Sequence, residues 1–349
     1  MIPDASLAFE HLLVSPAEAV QLVKSGDRVY LGSNCGQPQT LTQALFERRE
    51  TLEDVEIVHL LVSGAAPYAN AAYTKHFRHT GFFNAANTRP GTLDGSCDYI
   101  PMFLHEIPFF IASGVAPIDV AMVSVTPPDS DGYVSLGISV DIGASVCAHA
   151  KTLIAEIQPQ MPRTFGDNRL HISQFAACVL SNHDLLQHAE KPISDVDRAI
   201  ATNVGKLIQD GSCLQVGIGH IPDAILSSLF DRNDLGVHSE LIGDRVGELY
   251  RSGNITNAKK QIYAGKSVAT FSLASRFLYD IINENPDFEF RPTEQVNDPF
   301  VVAQNDNVVA INGALQVDLT GQVVSDSTGH RIYSGVGGQV DFIRGATRS

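Results

Sequence analysis

The sequence predicts an α/β protein of two similar tandem domains with mostly parallel sheets, and three observations carry that expectation. Apolar runs that read as strands, such as "VEIVHLLVSG", "VAMVSV", "CLQVGIG" and "SVATFSLA", alternate with amphipathic helical patterns along the whole chain. Continuous apolar strands between helices belong to parallel sheets covered on both faces. The 349 residues leave room for two domains of ordinary size, each with its own core. A repeat completes the case: residues 19–48, "AVQLVKSGDRVYLGSNCGQPQTLTQALFER", can be laid over 203–232, "NVGKLIQDGSCLQVGIGHIPDAILSSLFDR", allowing a one-residue gap. Such self-similarity is read as duplication of one structural unit.

Taken in order, each repeat runs helix, Gly turn, apolar strand, Gly-rich loop, Pro, and a second helix ending Leu-Phe-x-Arg. Another strand follows each, so Val58 and His59 fall opposite Val237 and His238. The segment "AEKPISDVDRA" places the boundary near Asp195, giving an N-terminal domain over 1–195 and a C-terminal domain over 196–349. In this alignment Glu240 stands where the first half has Leu61. A catalytic Glu240 therefore gives one active site per chain.

Composition narrows the function classes. Hydrophobic residues make up 44% and charged residues 18%, with no charged block or low-complexity run, which is the pattern of a folded protein. The formal charge of −15 repels phosphate backbones and anionic membranes, so nucleic acid is set aside as a partner. The five cysteines are scattered and form no C-x-x-C pair, as expected of small buried residues in a reducing compartment. The N-terminus "MIPDASLAFEHLLVSP" lacks a basic start and apolar core, and no apolar run reaches the roughly 18 residues of a membrane helix. A cytoplasmic, homo-oligomeric enzyme, a dimer or larger, is the expectation.

Several stretches can carry chemistry. Gly217, Gly219 and Pro222 form a turn after a strand and before a helix, where backbone N–H groups can hold an anion. The turn lacks the third Gly of a dinucleotide fingerprint and the Lys-Ser/Thr of a P-loop, and two glycines in a tight turn need no ligand. Gly335, Gly337 and Gly338 lie in "YSGVGGQVDF", a loop that can aim N–H donors at an oxyanion or simply turn the chain. The segment "DLGVHSELIGD" sets His238, Ser239 and Glu240 side by side. In a strand, His238 and Glu240 share one face and Ser239 takes the other, which removes a Ser–His nucleophile pair. No G-x-S-x-G elbow supports hydrolase chemistry either. A carboxylate at a strand's carboxyl end, beside a glycine turn, can act as nucleophile, base or metal ligand, or stand solvated. Metal readings are weak: no H-x-x-x-H or H-E-x-x-H spacing occurs, and Asp129, Asp131 and Gly132 in "PPDSDGY" read as a turn.

Together, "SVTPPDSDGYVSLG", "MPRTFGDNRLHIS", "LQVGIGHIPDAIL", "DLGVHSE", "VNDPFVVAQNDNVVAINGALQVDLTGQV" and "YSGVGGQVDFIRGA" resemble, in order along the chain, the acetyl-CoA hydrolase/transferase family. These are the class I coenzyme A transferases, and the likeness is strongest to its 4-hydroxybutyrate and acetate or butyrate CoA-transferases. The resemblance implies two similar α/β domains and assigns the nucleophile to Glu240. It implies that Asn297 and the Gly338 N–H form an oxyanion hole, and that Gly217, Gly219, Pro222, Gly335 and Gly337 line the coenzyme site. Ping-pong transfer through a glutamyl-CoA thioester follows, with acyl-CoA and carboxylate as substrates and no tightly bound cofactor or metal. An acyl-CoA hydrolase is the alternative, and a CoA-binding, non-catalytic fragment a further one. Relatives continue beyond the position of Ser349, so an incomplete second domain is the expectation, and Gln158 and Gln339 replace the usual Asn and Ser. His238 is left as a neighbour without a role.

Overall fold

The structure, a computed structural model, describes residues 9–188, 192–217 and 219–349. The start of the N-terminal stretch and the first three residues of "AEKPISDVDRA" lie outside the described residues. The first half supplies β1 (Arg28–Leu31), β2 (Val55–His59), β3 (Phe77–Gly81), β4 (Cys97–Tyr99), β5 (Val120–Val125), β6 (Tyr133–Ser135), β7 (Thr152–Ile157), β8 (Arg169–His171) and β9 (Ala177–Leu180). Seven of these form one sheet in the order β4-β3-β2-β1-β5-β7-β9, parallel throughout. The remaining two, β6 and β8, pair antiparallel. Both faces are buried: Val29 and Leu31 enter one apolar cluster while Tyr30, between them, enters the other. That is why the strands read as unbroken apolar runs rather than as alternating ones.

The second half supplies β10 (Cys213–Val216), β11 (Gly236–Val237), β12 (Leu241–Ile242), β13 (Ser267–Ala269), β14 (Phe271–Ser272), β15 (Phe288–Phe290) and β16 (Val308–Ile311). They pair in parallel as β11-β10-β16, β12-β14 and β13-β15, with a bridge from His238 to Val268 joining β11 to β13. Two short hairpins follow, β17 (Gln316–Val317) with β18 (Val323–Val324) and β19 (Ser327–Thr328) with β20 (Arg331–Ile332). The repeat is visible in the topology. β1 lies between β2 and β5 as β10 lies between β11 and β16, and each leads through a Gly-rich loop into a helix, Gln39–Glu47 or His220–Ser227. All five cysteines are buried and free, and the "PPDSDGY" aspartates do build a turn, Asp129 Oδ1 accepting from Asp131 N–H and Tyr133 N–H.

The halves are joined by backbone hydrogen bonds that converge on Asp141. Val140 N–H and Asp141 N–H donate to Thr270 O at 3.0 Å each, Thr293 N–H donates to Asp141 O at 3.1 Å, and Ser272 N–H donates to Ile138 O at 2.9 Å. The Asp141 side chain is fully buried. One oxygen accepts from Ile142 N–H and Gly143 N–H at the start of the Gly143–His149 helix; the other accepts from Ser139 Oγ and Asn34 Nδ2. Burial pushes its carboxyl above the usual range, and the donors oppose that. Removing the carboxylate leaves buried donors unpaired. Asp141→Ala is expected to lower the stability of the folded chain by about 3 kcal/mol, read as a lower midpoint in urea unfolding.

Candidate active site

The stretch from Gly236 to Ile242 departs from the continuous strand expected of it. β11 ends at Val237, His238 makes one bridge, the chain bends at Glu240, and β12 begins at Leu241. The next strand breaks at the same level, because Thr270 separates β13 from β14. The two breaks are coupled. Thr270 N–H and Thr270 Oγ1–H both donate to Glu240 O at 2.8 Å, and Phe271 N–H reaches it at 3.2 Å.

Side-chain directions nevertheless follow the alternation. Ser239 turns toward β10, where its Oγ accepts from Val216 N–H at 3.1 Å and donates to Val216 O at 3.2 Å. His238 and Glu240 turn instead toward the Thr293–Val296 helix and the Asn297 that ends it. His238 Nε2 lies 2.8 Å from Val296 O, so that nitrogen carries the proton, because a carbonyl can only accept. Its Nδ1 then accepts from Asn305 Nδ2 at 3.4 Å. Burial holds the ring's pKa down at about 3, so His238 is neutral. It is no base for Ser239; it anchors the carbonyl next to Asn297.

Glu240 is met by two uncharged donors. Asn297 Nδ2 donates to its Oε2 at 3.1 Å, and the Gly338 N–H faces the same carboxylate. Gly338 caps the Gln339–Ala346 helix, whose N-terminal end favours negative charge. A Cβ on Gly338 would overlap both Glu240 Oε2 and Asn297 Nδ2, so the position has to be glycine. Burial raises the Glu240 pKa to about 7; Asp341 and Asp141 add to the rise, while Asn297 and the Gly338 N–H oppose it. Near neutral pH the group is therefore shared between acid and carboxylate, and the carboxylate form is more basic than an ordinary Glu.

The other glycines fall in two places, a cleft beside Leu241 and a contact with the first half. Gly217 donates its N–H to Ile311 O at 2.8 Å, and Gly219 has φ +117° with open space where a side chain would stand. Gly217, Gly219, Leu241, Ile242, Gly243 and Leu273 line a shallow open cleft. Leu241 borders it directly after Glu240. Pro222 is buried inside the following helix and does not line this cleft. In the second place Gly335 and Gly337 pack on Phe83 of the first half, and Val336 N–H donates to Tyr99 Oη at 3.0 Å. Gln158 is spent within the first half, on Ser181, His183 O and Gln160 N–H, and Gln339 begins the helix after Gly338. Asp141, Thr270, Asp341, Tyr99 and Phe83 were missed by sequence reasoning. For Asp341 a signal existed: it lies three residues after Gly338, one helical turn on.

Among the described residues no cluster of three or more His, Cys, Asp or Glu side chains is arranged to hold a metal ion, and no helix is long and apolar enough to cross a membrane. The chain can be compared with known proteins at this point. The acetyl-CoA hydrolase/transferase N-terminal domain matches residues 4–203 and the C-terminal domain of the same name matches 275–349, with Glu240 between the two. A 4-hydroxybutyrate coenzyme A transferase of Clostridium kluyveri is 42% identical over 98% of this chain and 80% of its own length. Two solved structures agree. RipA from Yersinia pestis superimposes with a TM-score of 0.91 at 32% identity, covering 99% of this chain and 81% of that one. A 4-hydroxybutyrate CoA-transferase from Porphyromonas gingivalis does so with a TM-score of 0.84 at 33% identity, covering 99% and 80%. Likeness of this extent, carried by both domain matches and by the solved structures alike, places the chain in a single family: it belongs to the acetyl-CoA hydrolase/transferase family.

Proposed function

We propose that Glu240 is the nucleophile through which this CoA-transferase moves coenzyme A from an acyl-CoA to a free carboxylate. The observation that carries the reading is the Asn297 Nδ2 donor on Glu240 Oε2 at 3.1 Å, with the Gly338 N–H facing the same carboxylate. With Oε2 held, Oε1 is the atom free to attack. Attack on the thioester carbonyl breaks its C–S bond and gives an acyl-glutamyl anhydride and CoA thiolate. The thiolate then adds to the glutamyl carbonyl carbon, and negative charge gathers on Oε2, already between its donors. Expulsion of the acyl carboxylate leaves a glutamyl-CoA thioester. An incoming carboxylate runs the sequence in reverse. Donors that need not move as the charge forms are the efficient way to stabilise it.

A carboxylate is a weak nucleophile, and two features of the site compensate. Its raised pKa makes the ionised form more reactive, and the neighbouring cleft offers the coenzyme body a place to bind and so to position the thioester. Gly217 and Gly219 border that cleft, and Gly335 and Gly337 pack on Phe83 of the first half. The coenzyme enters as a substrate, not as a resident cofactor. A short-chain acyl group such as 4-hydroxybutyrate, exchanged against acetate, is the substrate pair best supported by the relatives' names.

Three outcomes test this reading. Incubation with acetyl-CoA alone is expected to leave a CoA adduct on the Glu240 peptide by mass spectrometry, absent from Glu240→Gln; unmodified wild-type protein that still binds CoA would sink the proposal. Supplying butyryl-CoA with acetate should yield acetyl-CoA, whereas a hydrolase releases free CoA from the same intermediate. Asn297→Ala is expected to lower turnover by roughly 10²–10³-fold with the protein still folded. The pH dependence has a definite sign. The reactive form is ionised, so adduct formation rises with pH through about 7. Stability runs the other way: a carboxyl whose pKa is raised by folding contributes most below its unfolded value and loses that contribution as pH climbs through about 7. Glu240→Gln should therefore unfold at a higher urea midpoint than wild type at pH 8, with the gap closing on acidification.

A further inference from the structure

Asp341 is fully buried, one helical turn beyond Gly338, on the helix whose first N–H faces Glu240. Both its oxygens are taken by one residue of the first half. His105 Nδ1–H donates to Oδ1 at 2.8 Å, and His105 N–H donates to Oδ2 at 3.2 Å. The same helix buries Phe342 beside His238, with ring centroids 6.3 Å apart, and Gly345 tightly against Val302. Its N-terminal turn is thus tied to the first half by Asp341 and to the second by Phe342. The ring of His105 is the accessible end of the pair, its side chain 16% exposed against 0% for Asp341.

From this arrangement we propose that Asp341, latched by His105, is a positioning residue for the transfer reaction. It fixes the Gly338 N–H against Glu240 and holds a buried negative charge near the nucleophile. The proposal rests on Glu240 being the nucleophile. The charges around the pair are few. Asp341 faces His105 and Glu106; His105 faces Asp341, Glu106 and Asp298; Glu240 feels Asp341 and Asp141. The bond to Asp341 holds His105 above the usual histidine range, which favours a charged partner for the Asp341 carboxylate, while burial pushes the Asp341 carboxyl up. Neutralising one member or the other then changes the field at Glu240 with opposite sign. Asp341→Asn removes a charge that disfavours the carboxylate. His105→Gln keeps a donor but leaves the Asp341 charge uncompensated.

The test is single-turnover formation of the Glu240 adduct from acetyl-CoA, followed between pH 5 and 9 in the full chain. The midpoint of the acid limb is expected to fall by roughly one unit in Asp341→Asn and to rise in His105→Gln. At pH 8 the adduct should form roughly tenfold more slowly in Asp341→Asn, because the Gly338 donor has lost its brace. Midpoints that stay put, or move the same way in both variants, overturn the inference: a latch of purely structural importance lowers the amplitude and leaves the midpoint alone. If Asp341→Asn does not fold, His105→Gln decides by itself, and an unmoved or lowered midpoint counts against the inference. No adduct in wild type would instead overturn the assignment of Glu240.

Discussion

Glu240 is a carboxylate partly withdrawn from water and given two neutral donors, an amide side chain and a backbone N–H, where a structural carboxylate would be given a cation. Burial of a charge without a counter-ion is costly, and the group answers by becoming more basic. A cation facing the carboxylate in place of the amide would draw the pKa down and with it the nucleophilicity. Neutral donors avoid this. They leave the ground-state carboxylate poorly compensated and are still in place when charge returns to Oε2 in the tetrahedral intermediate.

Holding such a group requires the surrounding elements to stop where they do. In the first half, β2 ends at His59 and the chain bends at Leu60, and the aligned position Leu61 packs, partly buried, against the apolar core. In the second half, the equivalent strand bends at Glu240 and its neighbour bends at Thr270, with Thr270 giving both its donors to the Glu240 carbonyl. The bend turns the carboxyl toward Asn297 and lets Ser239 close on Val216. His238 and Ser239, which look like catalytic partners in the sequence, are the braces of this turn. One fixes the end of the helix before Asn297, and the other fixes the end of β10. The first half contributes from outside through Asp141, whose backbone bonds to Thr270 and Thr293, the residues that in turn bond to Glu240 and Asn297.

How much of this was legible in the sequence follows from how local each feature is. Period-2 alternation sent Ser239 away from its neighbours, and the structure keeps those directions even where the strand is broken. The internal repeat paired β1 with β10 because both copies keep the same turn, loop and helix spacing. The breaks at Glu240 and Thr270 were not legible, since each depends on a strand more than two dozen residues away. Asp141 and Asp341 were missed for the same reason: a buried aspartate announces itself only through its donors, which come from Asn34, Ser139 and His105. Asn297 was reached only through resemblance to a family, and Gly338 stood out as part of a glycine loop able to aim N–H donors, without its partner. Nothing in the sequence around Gly338 says that a methyl group there would strike Glu240.

The duplicated fold explains why one chain can hold such a site without rebuilding itself. Each half places a Gly-rich turn at the carboxyl end of its leading strand, the position at which α/β sheets receive ligands. In the first half that turn is filled by its own residues: Ser33, Asn34 and Cys35 are buried, and Gly36 lies against Ser139. In the second half Gly219 opens onto space and the cleft begins. The first copy thus serves as a wall that reaches the surroundings of the nucleophile through Asp141, Tyr99, Phe83 and His105, while the second keeps its turn open beside Glu240. The asymmetry between a filled turn and an open one gives the chain a single site.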